Sequence, residues 1–196
     1  MARGTGPGAG RRNRKMARPK VISEKVGYDK DWLKIIEAKM GFSDGSTANW
    51  TYISSKDAVG IVALDKDMNI FLVEEYKVAW NKEILQIPFG ETKGNSEKQL
   101  LEQARNEMRE EIGFDAKKIE KIGTLLRDGR VHGKFHIYLA QDLFPSKKPC
   151  DEHEEVRVVK MPFKKACEIF LKQKVDVTQT SLAGLILAKE RLGLKF

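Results

Sequence analysis

The longest uninterrupted apolar runs in the chain are two stretches of seven residues, Ala58 to Leu64 and Leu182 to Ala188. Neither approaches the roughly 20 apolar residues that span a bilayer, so no membrane segment is expected. The first run has no polar alternation and reads as a buried-type strand. A polar hairpin turn follows at 65–69, and a second strand over 70–75 leads the chain back. Apolar/polar alternation marks earlier strands at 21–26, 32–36 and 50–54, with a Gly-containing turn at Ser43-Asp44-Gly45-Ser46. A short strand at 83–88 enters a loop with Gly90 and Gly94.

The period then changes. Leu100, Leu101, Ala104, Met108 and Ile112 recur at three- or four-residue spacing, which predicts a helix over 97–112. Ser96 is its expected N-cap and Gly113 its left-handed C-terminal cap. Beyond it the pattern predicts strands near 119–126 and 134–142, an acidic loop at 150–155 and a strand at 156–161. Helices are predicted at 163–172 and 181–192. Strands and helices that interleave without regular βαβ alternation point to a mixed α/β (α+β) sandwich, not a doubly wound sheet. The length, 196 residues with 41% apolar, fits one domain, with or without a small appended element.

The net charge of +8 suggests a polyanion partner until its distribution is read. Residues 1–20 carry Arg3, Arg11, Arg12, Arg14, Lys15, Arg18 and Lys20 with no acid, so the body is nearly neutral. This Gly/Arg-rich stretch lacks the apolar surface that would offset ordering, and disorder is expected over 1–20. Met-Ala-Arg occurs at 1–3 and again at 16–18, so the stretch is either a basic arm or lies upstream of a start at Met16. It has neither the apolar region of a secretory signal nor much of an amphipathic face. Two cysteines, Cys150 and Cys167, make no metal or redox pair and no disulfide framework, and a reducing cytoplasm is the simplest setting.

Chemistry concentrates on the long helix. Glu107, Glu110 and Glu111 stand at i, i+3 and i+4, so three carboxylates converge within one α-helical turn. Mutual repulsion makes such a cluster unfavourable by itself, and a hard cation such as Mg²⁺, which takes carboxylate and phosphate oxygens, would turn it into a site. The alternative is a solvated acidic face tempered by Arg105 and Arg109.

In context, the stretch Gly90 to Phe114, GETKGNSEKQLLEQARNEMREEIGF, resembles the signature of the Nudix hydrolases. Anchored on Glu110 to Phe114, the register keeps Glu107, Met108, Glu110, Glu111, Gly113 and Phe114. Thr92, Lys98 and Asn106 replace its Gly, first Glu and Arg. Glu97 and Arg105 lie one residue early and keep the family's mutual spacing, while Gly90 lies two early. The resemblance implies that Glu97, Arg105 and Gly90 brace the loop against the helix. It also implies the family's α/β/α sandwich with a mixed sheet over 57–196.

Val73-Glu74-Glu75-Tyr76-Lys77 and Glu83 to Gly90 are similar to the strand-to-signature run of the ADP-ribose pyrophosphatase and ADP-sugar branch, which reads approximately Gln-Tyr-Arg, then Glu-Leu-Pro-Ala-Gly. The element at 21–56 resembles that branch's N-terminal β region, which implies a homodimer. Glu152-His153-Glu154-Glu155-Val156 resembles its acidic loop; the water-activating role falls on Glu154, with Glu152 and Glu155 as rivals. No proline lies between Asp115 and Leu143, where ADP-sugar enzymes often carry one; Arg127 to Lys134 occupies that region, either as a phosphate- or sugar-binding loop or as a solvated hairpin.

The implied activity is Mg²⁺- or Mn²⁺-dependent hydrolysis of the pyrophosphate bond of ADP-ribose or a related nucleoside diphosphate sugar. Glu107 and Glu111 would hold the metal, with Glu110 as ligand or supporting partner and the Phe89 backbone carbonyl completing the sphere. Glu154, Glu110 and Glu111 are the catalytic candidates. Lys77, Arg127 and Lys134 would offset phosphate charge, Lys77 foremost. Trp50 and Trp80 are either adenine platforms or core and interface aromatics; His132, His136 and His153 show no mutual ligand spacing. The alternatives are a Nudix enzyme for other nucleotides, nucleoside triphosphates included, or a non-catalytic module that meets nucleic acid through the basic tail.

Overall fold

The computed structural model describes residues 18–30, 32–149 and 155–196. Most of the expected disordered tail and of the acidic loop, Glu152 and Glu154 included, lies outside the described residues. The chain opens as an antiparallel meander of β1 (Lys20–Lys30), β2 (Leu33–Gly41) and β3 (Thr47–Ser55). The turn expected at 43–46 joins the last two: the Asp44 carboxylate accepts the Ser46 N–H at 2.9 Å, and Gly45 takes φ +84°. Next come β4 (Ala58–Leu64), β5 (Asn69–Lys77), β6 (Lys82–Gln86) and the short β7 (Phe89–Glu91). Helix α1 (Glu97–Glu107) leads through a wide turn, Met108–Ile112, into β8 (Phe114–Asp128) and β9 (Val131–Pro145). The chain closes with β10 (Val156–Pro162), α2 (Phe163–Leu171) and α3 (Gln179–Arg191).

All ten described strands join one sheet, ordered β1-β2-β3-β9-β4-β5-β10, with β6 on β5, β7 on β4 and β8 on β9. The β4–β9 and β3–β9 pairings are parallel and the rest antiparallel, so the sheet is mixed as expected. Every residue of β4 is buried, and its side chains divide between two cores because successive positions face opposite sides. Val59, Ile61 and Ala63 pack with Leu100, Ala104 and Met108 on the α1 side. Val62 and Leu64 pack with Phe163, Phe170 and Leu185 of α2 and α3 on the other. Helices therefore cover both faces of the central sheet.

Two elements differ from the sequence expectation. β8 and β9 run for 15 residues each, because their ladder continues through Leu126↔Lys134 to Asp128↔Val131. Only Gly129 and Arg130 lie between them, so the basic stretch 127–134 is the end of a long hairpin and not a free loop. The N-terminal strands reach the main sheet through a short parallel contact, Ile53↔Val131 and Ser54↔His132.

The two-sided core predicts unequal costs of truncation. Phe170→Ala, at a fully buried position, should lose about 3–5 kcal/mol in chemical denaturation. Val158→Ala, 43% exposed on β10, should stay within about 0.5 kcal/mol.

Candidate functional site

Helix α1 starts as its sequence dictates. The Ser96 hydroxyl accepts the Gln99 N–H and the Gln99 side chain accepts the Ser96 N–H, each at 3.3 Å, a reciprocal capping box. The predicted α-helix to 112 stops instead at Glu107, and Met108–Ile112 forms a single π-helical turn ending at Gly113, φ +77°. Such turns accommodate one extra residue. Glu97 and Arg105, displaced by one from the signature's register, lie on α1, while Met108 to Ile112 form the wide turn and Asn106 lies just before it. The Met108 N–H reaches the carbonyls of both Ala104 and Arg105, and Arg109 Nε donates to the Arg105 carbonyl at 3.1 Å. The acids therefore sit on a wider turn than the i, i+3, i+4 spacing implied.

Glu111 is only 8% exposed, and its carboxylate accepts the Phe89 N–H of β7 at 3.0 Å. Burial, then the neighbouring charge of Glu107 and that of Glu75, push its pKa up to about 9, against the Phe89 N–H and Lys77. Glu107 receives Gln103 Nε2 at 2.6 Å and lies against the α-carbon of Gly90, where any Cβ would collide with its carboxylate. The absence of a side chain at Gly90 is what permits this approach. Glu110 is half-buried on the same turn. Among the described residues no group of three or more His, Cys, Asp or Glu side chains is placed to hold a metal ion. The donor chemistry nevertheless suits a hard divalent cation, since Glu111 is an acid kept from ionising by its burial and then by the charges of Glu107 and Glu75.

The other two expected braces do not meet each other. Glu97 holds Lys121, and Arg105 holds the Asp115 carboxylate and, at 2.9 Å, the Ala116 carbonyl, so both tie α1 to β8 instead. Of the substituted positions, Thr92 is buried and donates both its N–H (2.9 Å) and its hydroxyl (3.1 Å) to the Asp57 carbonyl. Lys98 is exposed. Asn106 accepts Arg109 Nη2 and Lys148 Nζ, each at 2.8 Å.

Lys77 sits at the end of β5 with its ammonium 2.5 Å from Glu75, which also accepts Gln86 Nε2 at 3.3 Å. Arg127 is the penultimate residue of β8. Its guanidinium stacks 4.7 Å from the Phe135 ring, itself in contact with Phe89. Its side chain is 16% exposed, its nearest carboxylate is Glu91 at 4.0 Å, and its buried Nε and Nη2 have no hydrogen-bond acceptor among the described residues. Lys134 is exposed, and its N–H binds Asp57 Oδ1 at 2.9 Å. Trp50 is 58% exposed on β3, beside Gly129 and Arg130 of the hairpin end. Glu155 is exposed just ahead of β10, whose first residue, Val156, pairs with Glu75.

Sequence reasoning missed two participants. Glu75 joins the electrostatics of Glu111; a signal existed, because it is two residues before Lys77 on a strand and so shares its face. Asp57 binds Lys134 and, at 3.0 Å, the buried His136, whose other ring nitrogen meets Thr124 Oγ1 at 3.3 Å. His136 is thus a satisfied core histidine.

No protein-family model matches the chain. It is 25% identical over 143 residues to an ADP-ribose pyrophosphatase of Bacillus subtilis (strain 168), covering 71% of this chain and 76% of that protein. Over 110 residues it is 29% identical to the ADP compounds hydrolase NudE of Escherichia coli (strain K12), covering 56% and 58%. Its fold matches a crystal structure of an ADP compounds hydrolase with a TM-score of 0.80 at 23% identity, over 90% of this chain and 95% of that one.

The raised pKa of Glu111 has a thermodynamic sign. Its folded value of about 9 exceeds the ordinary 4.5, so its contribution is fully present below pH 4.5 and is lost as pH rises through 9. In metal-free protein, the melting temperature of Glu111→Gln relative to the parent chain should therefore climb steadily between pH 5 and pH 9.

Proposed function

We propose that this chain, a Nudix ADP-ribose pyrophosphatase-like protein, hydrolyses the pyrophosphate bond of ADP-ribose or a related nucleoside diphosphate sugar with Mg²⁺ or Mn²⁺. The products are a nucleoside monophosphate and a sugar phosphate. The observation that carries this reading is the buried Glu111, fixed to β7 with the charges of Glu107, Glu75 and Lys77 acting on it, while the buried Arg127 guanidinium stacks on Phe135, the ring that meets Phe89. Carboxylates alone would repel a diphosphate, and cations alone would only bind one.

Glu107, Glu110 and Glu111 would hold the cation, together with the Phe89 carbonyl. When bound, such a cation polarises phosphoryl oxygens and lowers the pKa of water. The chain's own residues do the rest. Lys77 and Arg127 neutralise the diphosphate, and the two orphaned donors of Arg127 acquire the acceptors that a buried guanidinium requires. Lys134 adds charge at the hairpin end, and Trp50 offers an aromatic face beside it. Glu154 takes the role of orienting the attacking water and drawing off its proton. In support, Glu154 stands two residues before Val156, the first residue of β10, which pairs with Glu75.

Purified protein with Mg²⁺ or Mn²⁺, offered a panel of nucleoside diphosphate sugars, should release nucleoside monophosphate. Absence of any such product would sink the proposal. Glu111→Gln should cut turnover on the order of a hundredfold or more while remaining folded; full activity in that variant would remove the metal assignment.

The same reading makes the protein a homodimer through its first three strands. Every residue of the edge strand β1 is exposed, and Val21, Ile22, Val26 and Tyr28 put large apolar side chains on it. Size-exclusion chromatography with light scattering should give twice the chain mass, and a charge substitution such as Ile22→Lys should shift it toward monomer.

A further inference from the structure

A cleft of about 630 Å³ opens beside the acids, between the β5–β6 hairpin and the segment 176–180 that leads into α3. Its floor is Ile84, Gln86 and Phe135. The register puts one wall of it on the face that carries Glu75: Val73 pairs with Gln86, Glu75 with Ile84 and Lys77 with Lys82, so these side chains share one face, while Phe135 and 176–180 supply the other wall. Two contacts join it to the acid site. Gln86 donates to Glu75, and Lys77, which lines the cleft, also binds Glu75. Phe135 forms the cleft floor on one side and stacks with Phe89 and Arg127 on the other. A diphosphate held by Lys77 would therefore have one of its two substituents directed into this space.

The rim is built to hold its shape. Trp80 ends a 3₁₀ turn at the hairpin tip and is 69% exposed. Asn81 follows it in the left-handed region, φ +53°, and receives the Tyr76 hydroxyl at 2.6 Å. Across the mouth, Lys82 and Asp176 form an ion pair of 2.7 Å that ties the hairpin to the opposite wall. Trp80 thus presents a flat aromatic face to the cleft without belonging to either core cluster. Facing it are groups that hydrogen-bond hydroxyls, namely the Asp176 carboxylate and the exposed amide of Gln179.

One aromatic face opposed by carboxylate and amide groups suits a ring with an apolar side and several hydroxyls better than it suits a second flat base. We propose that this cleft binds the sugar half of a nucleoside diphosphate sugar, with the sugar ring laid on Trp80 and its hydroxyls on Asp176 and Gln179. The assignment rests on the hydrolase reading above. It adds the end of the substrate that is selected here and the residues that select it, leaving the nucleoside to the Trp50 side of Arg127.

The two halves can be separated as free products, without turnover. Ribose 5-phosphate and AMP are titrated individually into the full chain while tryptophan fluorescence is followed. Ribose 5-phosphate should give a saturable change that disappears in Trp80→Phe and persists in Trp32→Phe; the AMP response should survive in Trp80→Phe. Asp176→Asn, at an exposed wall position, should weaken the ribose 5-phosphate response about five- to tenfold, the loss of one or two hydrogen bonds, without altering that of AMP. The proposal is overturned if ribose 5-phosphate gives no response, if its response survives in Trp80→Phe, or if AMP is the ligand whose response is lost. Failure here with hydrolysis intact refutes only the cleft, whereas binding without hydrolysis refutes the enzymatic reading.

Discussion

One hydrogen bond holds the candidate site together: the Phe89 N–H of β7 donating to the buried carboxyl group of Glu111. It joins the wide turn after α1 to the sheet at the point where the acids gather. Breaking it would leave a donor and a carboxyl group without partners in a nearly dry environment, which costs more than such a bond contributes at a surface. Its geometry depends in turn on β7 lying flat against β4, through Val59↔Gly90 and Gly60↔Phe89. Gly90 makes that approach compatible with Glu107 lying against it. The apolar run that organises both cores is thus also the base on which the acids are aligned.

A second polar network starts one residue before the same strand. The Asp57 carbonyl takes both donors of Thr92, and its carboxylate takes the Lys134 N–H and His136. The loop that follows β7 and the end of the β8–β9 hairpin are therefore fixed to a common residue. Cationic groups of that hairpin and acids beyond that loop keep their relative positions without touching. The replacement of the signature's Gly by Thr92 gains a structural reason, because glycine has no hydroxyl to give Asp57.

What the sequence made legible was whatever a local period encodes. The unbroken run at 58–64 marked the central strand, and the stripe from Leu100 to Ile112 marked α1 with its Ser96 cap and Gly113 end. Less legible were features set by distant partners. Gly129 and Arg130 look like the middle of a loop, yet pairing with β9 carries β8 to Asp128. Glu97 and Arg105 appear matched by spacing, but Lys121 and Asp115 on β8 claim them first. The wide turn was hidden for a subtler reason: the heptad-like apolar stripe tolerates it, since Met108 and Ile112 still reach the same core.

That turn bears on how such a chain is recognised at all. A helix that admits one residue without moving its ends acts like a vernier between two scales: Glu97 and Arg105 read on one, Glu107 to Gly113 on the other. A pattern that counts positions along the chain falls out of step at Asn106, whereas the backbone has already made good the difference in space. Where an insertion can be coiled into a looser turn, the ordering of acids in a site is a property of the fold's surface and not of residue count.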